Sequence, residues 1–126
     1  MTTAPDEQSA FSRSAALTTS LVVRDNINVL AVEGTVDLAT AAQFESAVTA
    51  AADGNPRALV IDLALVEFFA SAGMSILVSA HQRLGAATAF GVVADGPATS
   101  RPLKLTGLDQ VFGIYPTLDA ALAAFA

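Results

Sequence analysis

The sequence predicts an α/β fold: a mixed β-sheet with packed helices, in the order ββαβαβαβα. Three observations carry the prediction. Short apolar runs recur along the chain, separated by clusters of Gly, Pro, Asn and Asp. One run, Ala58-Leu59-Val60-Ile61-Asp62-Leu63, is continuous rather than alternating, as in a strand buried on both faces. Between runs, apolar residues recur at helical spacing behind capping signals.

Taken in order, Ser20 to Arg24 reads as a strand, Asp25-Asn26 as a turn, and Ile27 to Glu33 as a second strand. The short link makes the two an antiparallel hairpin. Gly34 to Ala39 reads as a loop. Thr40 and Gln43 have the spacing of a capping box, so Thr40 is expected to cap a helix carrying Ala41, Phe44, Val48 and Ala51 on one face. Asp53 to Pro56 ends it. The buried strand follows, closed by Asp62, which reads as a turn residue bonded to local amides. Leu65 to Phe69 reads as a short connection. Met74, Leu77, Val78 and His81 then form the stripe of a helix over 71–84, stopped at Gly85. Thr88 to Val93 is the next strand. Pro97 suits the first turn of a third helix that ends at Gly107. Val111 to Tyr115 is a last strand. Thr117 caps a final helix with Leu118, Leu122 and Phe125 on one side.

The 126 residues form one domain, expected over 17–126 behind a flexible N-terminal leader, 1–16. The leader holds few bulky apolar groups and cannot offset its ordering entropy. Of the 53% apolar residues, 27 are Ala, and the larger remainder suffices for one core. The chain has no Cys, hence no disulfide or thiol nucleophile. Its formal charge of −6 disfavours a nucleic-acid partner. No apolar run is long enough for membrane insertion. Met1 to Glu7 is polar and acidic where a signal peptide is basic and then apolar, so a cytoplasmic location is expected.

Catalysis by this chain is not expected. Phe69-Ala70-Ser71-Ala72-Gly73 lacks the first glycine of a nucleophile elbow. The one histidine, His81, lies ten residues beyond Ser71 on the same predicted helix, roughly 15 Å away. It cannot serve Ser71 as a base and reads as a partly buried stripe residue. No Walker motif or metal set is present, and no cofactor is implied. Ser71 itself has two readings: an N-cap of its helix, or an N-cap that is also a phosphorylation site, since a helix N-terminus tolerates phosphate. Asp37 follows the second strand as Ser71 follows the third. Loops after parallel neighbouring strands share one edge, so the two can face the same side. By itself, Asp37 reads as a loop carboxylate supporting the first turn of its helix.

Glu33-Gly34-Thr35-Val36-Asp37, followed by Thr40-Ala41, resembles the G-[ET]-[IVL]-D…T-A element of STAS domains. Val60 to Met74 is similar to that family's D-L-x-x-V-x-F-[hydrophobic]-D-S-x-G signature. Arg101 to Leu108 resembles the helix ending in Gly-Leu before the last strand. The resemblance spans Ser20 to Ala126, and among free-standing STAS chains it is greatest to bacterial anti-sigma factor antagonists. It implies a STAS-type single domain and a partner switch. The unmodified antagonist binds an anti-sigma factor, a serine kinase of the histidine-kinase-like ATPase type, and so frees the sigma factor. The kinase phosphorylates the antagonist to release it, and a phosphatase restores it. By position, Ser71 is the phosphoacceptor. The implied partner-binding residues are Thr35, Asp37, Phe69, Ala70, Ser71, Gly73 and Met74. Ala70 replaces the family's usual Asp, which removes a carboxylate that could hold a partner's Arg.

The charge logic of the switch follows from elementary physics. A phosphoserine adds about −1.5 to −2 charge at neutral pH. In an interface beside Asp37 and Glu67 it meets like charge, so modification weakens binding without unfolding the antagonist. Two alternatives share the fold: a STAS subunit of an ABC-type lipid transport system, and a small-ligand sensor. The scarcity of Arg, Lys, Trp and Tyr near the Asp37/Ser71 edge disfavours the sensor.

Overall fold

The structure is a computed structural model that describes residues 16–126. The expected leader therefore lies, but for Ala16, outside the described residues. Five strands form one mixed sheet in the order β1-β2-β3-β4-β5. They are β1 (Leu17–Arg24), β2 (Ile27–Val36), β3 (Ala58–Phe69), β4 (Ala89–Val93) and β5 (Gly113–Tyr115). Four helices connect and cover them: α1 (Ala41–Ala51), α2 (Ser71–Leu84), α3 (Ser100–Leu105) and α4 (Leu118–Ala124). β1 and β2 are antiparallel and all later pairs are parallel. The expected element order holds.

The β1–β2 hairpin turns on Asp25 and Asn26, both at positive φ (51° and 62°). That backbone matches the twist of the flanking strands, and Asp and Asn tolerate it better than most residues. The main core lies between the sheet and helices α1 to α3, with Phe44, Leu59, Ile61, Leu63, Leu77 and Leu103 fully buried. The opposite sheet face is covered by α4. Its Ala121, Leu118, Leu122 and Phe125 pack on Ile27, Val29, Ala58, Val60 and Val93. Thr117 caps α4 as its sequence predicts, accepting from the Ala120 amide at 3.1 Å.

Several boundaries differ from expectation. β1 begins three residues earlier, because Leu17 is buried in the main core opposite Gly34. β2 continues through Gly34 to Val36. β3 does not end at Asp62 but runs on to Phe69, so Leu65 to Phe69 is strand rather than connection. The pairing with β2 slips twice. Asp62 to Leu65 spans three residues against two from Ala31 to Glu33, and Val66 to Phe68 spans two against one from Gly34 to Thr35. Each slip inserts an extra residue, as a β-bulge does. Asp62 sits at the first bulge, and its carboxylate accepts from the Ala64 amide at 3.0 Å. Pro97 lies ahead of α3 rather than in it. Pro102 occupies the first turn instead, where its missing N–H costs little.

The capping box at Thr40 does not form. The Thr40 hydroxyl is committed to Thr35, donating to its carbonyl at 2.8 Å, and it accepts from the Asp37 amide at 3.0 Å. Gln43 reaches away from the helix start and donates to the Leu17 carbonyl at 3.1 Å. The Asp37 carboxylate holds the loop ahead of the helix through the amides of Ala39 and Thr40, and among the described residues no side chain caps α1. At the other end of α1, the buried Asn28 amide donates to the Ala51 carbonyl at 2.7 Å.

Candidate functional site

In parallel strands the carboxyl ends share one edge, and the loops leaving them meet there. Here β2 and β3 end together, with Val36 opposite Phe69. The Ala70 amide donates to the Val36 carbonyl at 2.9 Å and ties the start of α2 to the loop that carries Asp37. Thus the structure brings the Asp37 loop and the Ser71 helix start to one edge of the sheet.

Ser71 is the first residue of α2 and is exposed. It is not the N-cap that both readings of the sequence assign. That position belongs to Ala70, whose backbone is extended (φ −86°, ψ 171°) and whose methyl side chain cannot accept a hydrogen bond. The Ala70 carbonyl accepts from the amides of Gly73 and Met74, while among the described residues no side chain caps the helix. The helix start therefore keeps its partial positive charge without a compensating side-chain oxygen. The Ser71 hydroxyl is accessible to another protein.

Asp37 is half-buried and turned onto its own loop. One carboxylate oxygen accepts from the amides of Ala39 (2.9 Å) and Thr40 (3.1 Å). That is the supporting role the sequence suggests for it in isolation. Thr35 is likewise engaged: its amide donates to the Ala16 carbonyl at 2.7 Å and its carbonyl accepts from Thr40.

Two residues grouped with the partner surface lie beneath it. Phe69 is only 4% exposed and packs edge-on to Phe44, with ring centroids 5.9 Å apart. Gly73 is buried against it, and a Cβ there would come within 2.8 Å of the Phe69 ring and of Val36 Cγ1. Both shape the edge and place Ser71, but neither presents a face to a partner. The second bulge in β3 is the reason. It brings Phe69 into the core beside Val66 and leaves Phe68 56% exposed.

Sequence reasoning missed part of this surface. Leu38, in the Asp37 loop, is 86% exposed. A groove of about 410 Å³ runs from Ser71 along α2 past Met74, Ser75 and Val78 to Thr106 and Leu108. The Thr106 hydroxyl lies 3.6 Å from the Met74 sulfur and closes one wall. Ser71, Ser75 and Ser79 recur every four residues, a polar stripe that could have shown which face of α2 looks outward. His81 lies at the far end of α2, half-buried between the rings of Phe90 and Phe112 and away from Ser71.

The sequence model of the STAS domain matches residues 18–121. The anti-sigma-F factor antagonist RsfB of Mycobacterium tuberculosis is 42% identical over 112 residues, covering 89% of this chain and 92% of the relative. The crystal structure of an anti-sigma factor antagonist from Mycobacterium paratuberculosis aligns with a TM-score of 0.84 at 50% identity, covering 86% of this chain and 93% of the other. SpoIIAA in its unphosphorylated form shares the fold, with a TM-score of 0.69 at 17% identity over 85% of this chain and 95% of its own.

Proposed function

This chain belongs to the STAS domain family, and from that premise we propose that it is an anti-sigma factor antagonist controlled by phosphorylation of Ser71. It acts by binding rather than by catalysis. In its unmodified form it docks on an anti-sigma factor and frees the sigma factor for transcription. The anti-sigma factor is a serine kinase of the histidine-kinase-like ATPase type that transfers phosphate to the Ser71 hydroxyl. A phosphatase reverses the step. All four proteins meet in the cytoplasm.

The observation that carries this reading is the position of Ser71, an exposed hydroxyl on the uncapped first turn of α2. Names of the relatives, one of them 42% identical, support the choice of partner class. The geometry suits a switch that acts on binding and not on the fold. A phosphate on Ser71 meets the positive end of α2, which favours it within the free protein. The same group adds charge to an edge already carrying Asp37 on a chain of net charge −6. When a partner covers that edge, the phosphate must be desolvated beside like charge, and the complex is weakened. Leu38 and the Met74–Leu108 groove supply apolar contact on either side of the switch.

The test is co-expression with candidate anti-sigma kinases, followed by intact and peptide mass spectrometry. A single added phosphate on the peptide containing Ser71 is expected. In parallel, Ser71→Ala should bind the anti-sigma factor constitutively and Ser71→Glu should bind far more weakly. Phosphate at another residue, or equal affinity of the two variants, would overturn the switch.

A further inference from the structure

β1 is an edge strand, and its hydrogen-bonding pattern determines which of its backbone groups are free. In an antiparallel pair, alternate residues turn N–H and C=O toward the neighbour and the rest turn them away. The Thr35 amide donates to the Ala16 carbonyl while Leu17 stands opposite Gly34. That register directs Thr18, Ser20, Val22 and Arg24 toward β2. Leu17, Thr19, Leu21 and Val23 point their backbone groups away from the sheet. The fold closes the first of these, because Gln43 donates to the Leu17 carbonyl. Among the described residues, no hydrogen bond reaches the outward groups of Thr19, Leu21 or Val23.

Beyond Thr19 and Ser20 the side chains of this free stretch are apolar. Leu21, Val22 and Val23 are 46%, 49% and 61% exposed. Edge strands are ordinarily blunted by inward charge, proline, a bulge or a covering element. β1 has no proline, keeps one unbroken register with β2, and carries a single charge, Arg24, at its last position. We propose that this edge pairs with β1 of a second copy of this chain, antiparallel, about a two-fold axis through Leu21.

The free groups set the register. Thr19, Leu21 and Val23 are symmetric about Leu21, so a two-fold there lets each copy satisfy the other's bonds. Leu21 stands opposite its own counterpart, Thr19 opposite Val23, Ser20 opposite Val22 and Thr18 opposite Arg24. The strand's only charge thus meets a hydroxyl and never its like. Neighbouring antiparallel strands share faces, so Leu21, opposite the core residue Leu30 in β2, extends the main apolar face into that of the second copy. This self-complementarity favours a second copy over an unrelated strand. The axis is perpendicular to the sheet, so the two Ser71 edges point in opposite directions and both stay open.

The test uses the full chain. Sedimentation velocity from roughly 1 µM to 1 mM should show the mass rising from 12.8 kDa toward twice that value. Leu21→Lys sets two ammonium groups across the axis and should stay monomeric, with unchanged circular dichroism and thermal midpoint. The chain has no native cysteine, so Leu21→Cys offers a second readout. Bonded antiparallel pairs have Cα atoms about 5.5 Å apart, within disulfide reach. Under mild copper–phenanthroline oxidation it should cross-link at least about tenfold faster than Ala86→Cys, an exposed control in the turn after α2. A single-chain mass throughout, or equal cross-linking rates, would overturn the proposal. So would a dimer that survives in Leu21→Lys, since the contact would then lie elsewhere.

Discussion

Gly73→Ala tests whether the first turn of α2 is positioned by close packing. The new methyl would stand 2.8 Å from Phe69 Cε1, Phe69 Cζ and Val36 Cγ1, where ordinary contacts begin near 3.4 Å. Something must therefore move by about 0.6 Å or more. The Phe69 ring cannot simply retreat, because it is held edge-on by the fully buried Phe44. Overpacking of this kind costs about 1–3 kcal/mol. Alanine recovers up to about 1 kcal/mol through helix propensity, less near a helix end. The net expectation is a loss of about 1–2 kcal/mol, which for a domain of this size lowers the thermal midpoint by roughly 3–10 °C. Urea and thermal unfolding followed by circular dichroism measure it. The shift of α2 also displaces Ser71, so affinity for the anti-sigma factor should fall by more than the stability loss alone explains. A midpoint unchanged or raised would show that the helix start has room to spare and that Gly73 is there for another reason.

Four further outcomes are expected. Ala70→Asp places an acceptor on an extended N-cap that lacks one, and calorimetry should show a gain of about 0.5–2 kcal/mol at pH 7. A carboxyl that accepts amide bonds has a lowered folded pKa, so the gain is full above the unfolded value of about 3.9 and disappears as pH falls; the same change should weaken native partner binding several-fold, and tighter, salt-sensitive binding would instead reveal a facing basic group. Gly34→Ala should destabilise by about 2–4 kcal/mol in urea titrations, because Gly34 sits at φ 108° and its Cβ would overlap the Ala16 carbonyl. Thr117→Ala should cost about 1 kcal/mol through the lost cap on the Ala120 amide. Ser71→Ala, by contrast, should leave stability within about 0.5 kcal/mol of the parent, since among the described residues no hydrogen bond uses that hydroxyl.

Local chemistry made much of this protein legible in its sequence. Asp25-Asn26 is a turn because its own residues accept positive φ, and Thr117 caps α4 through a bond that spans three residues. The limits of α2 follow from its stripe and from Gly85. The two motifs around Asp37 and Ser71 lie on adjacent parallel strands, and that order alone implied a shared edge. What the sequence could not decide are choices made by neighbours far along the chain. Phe68 and Phe69 are equivalent as letters. Only the extra residue in β3, counted against β2, turns one outward and the other into the core beside Phe44. Thr40 and Gln43 match a capping box, but Thr35 and Leu17 compete for both side chains and win once β2 lies beside β1 and α1. Gly73 stands among the partner-binding residues that the resemblance implies, yet it is packed against Phe69 and Val36, which only the folded chain brings to it. Hydrogen bonds within a turn or a cap cost little entropy to close and leave their mark on sequence spacing. Bulge register, helix seating and the competition for a hydroxyl depend on which strand arrives alongside, and that is determined only when the sheet is assembled.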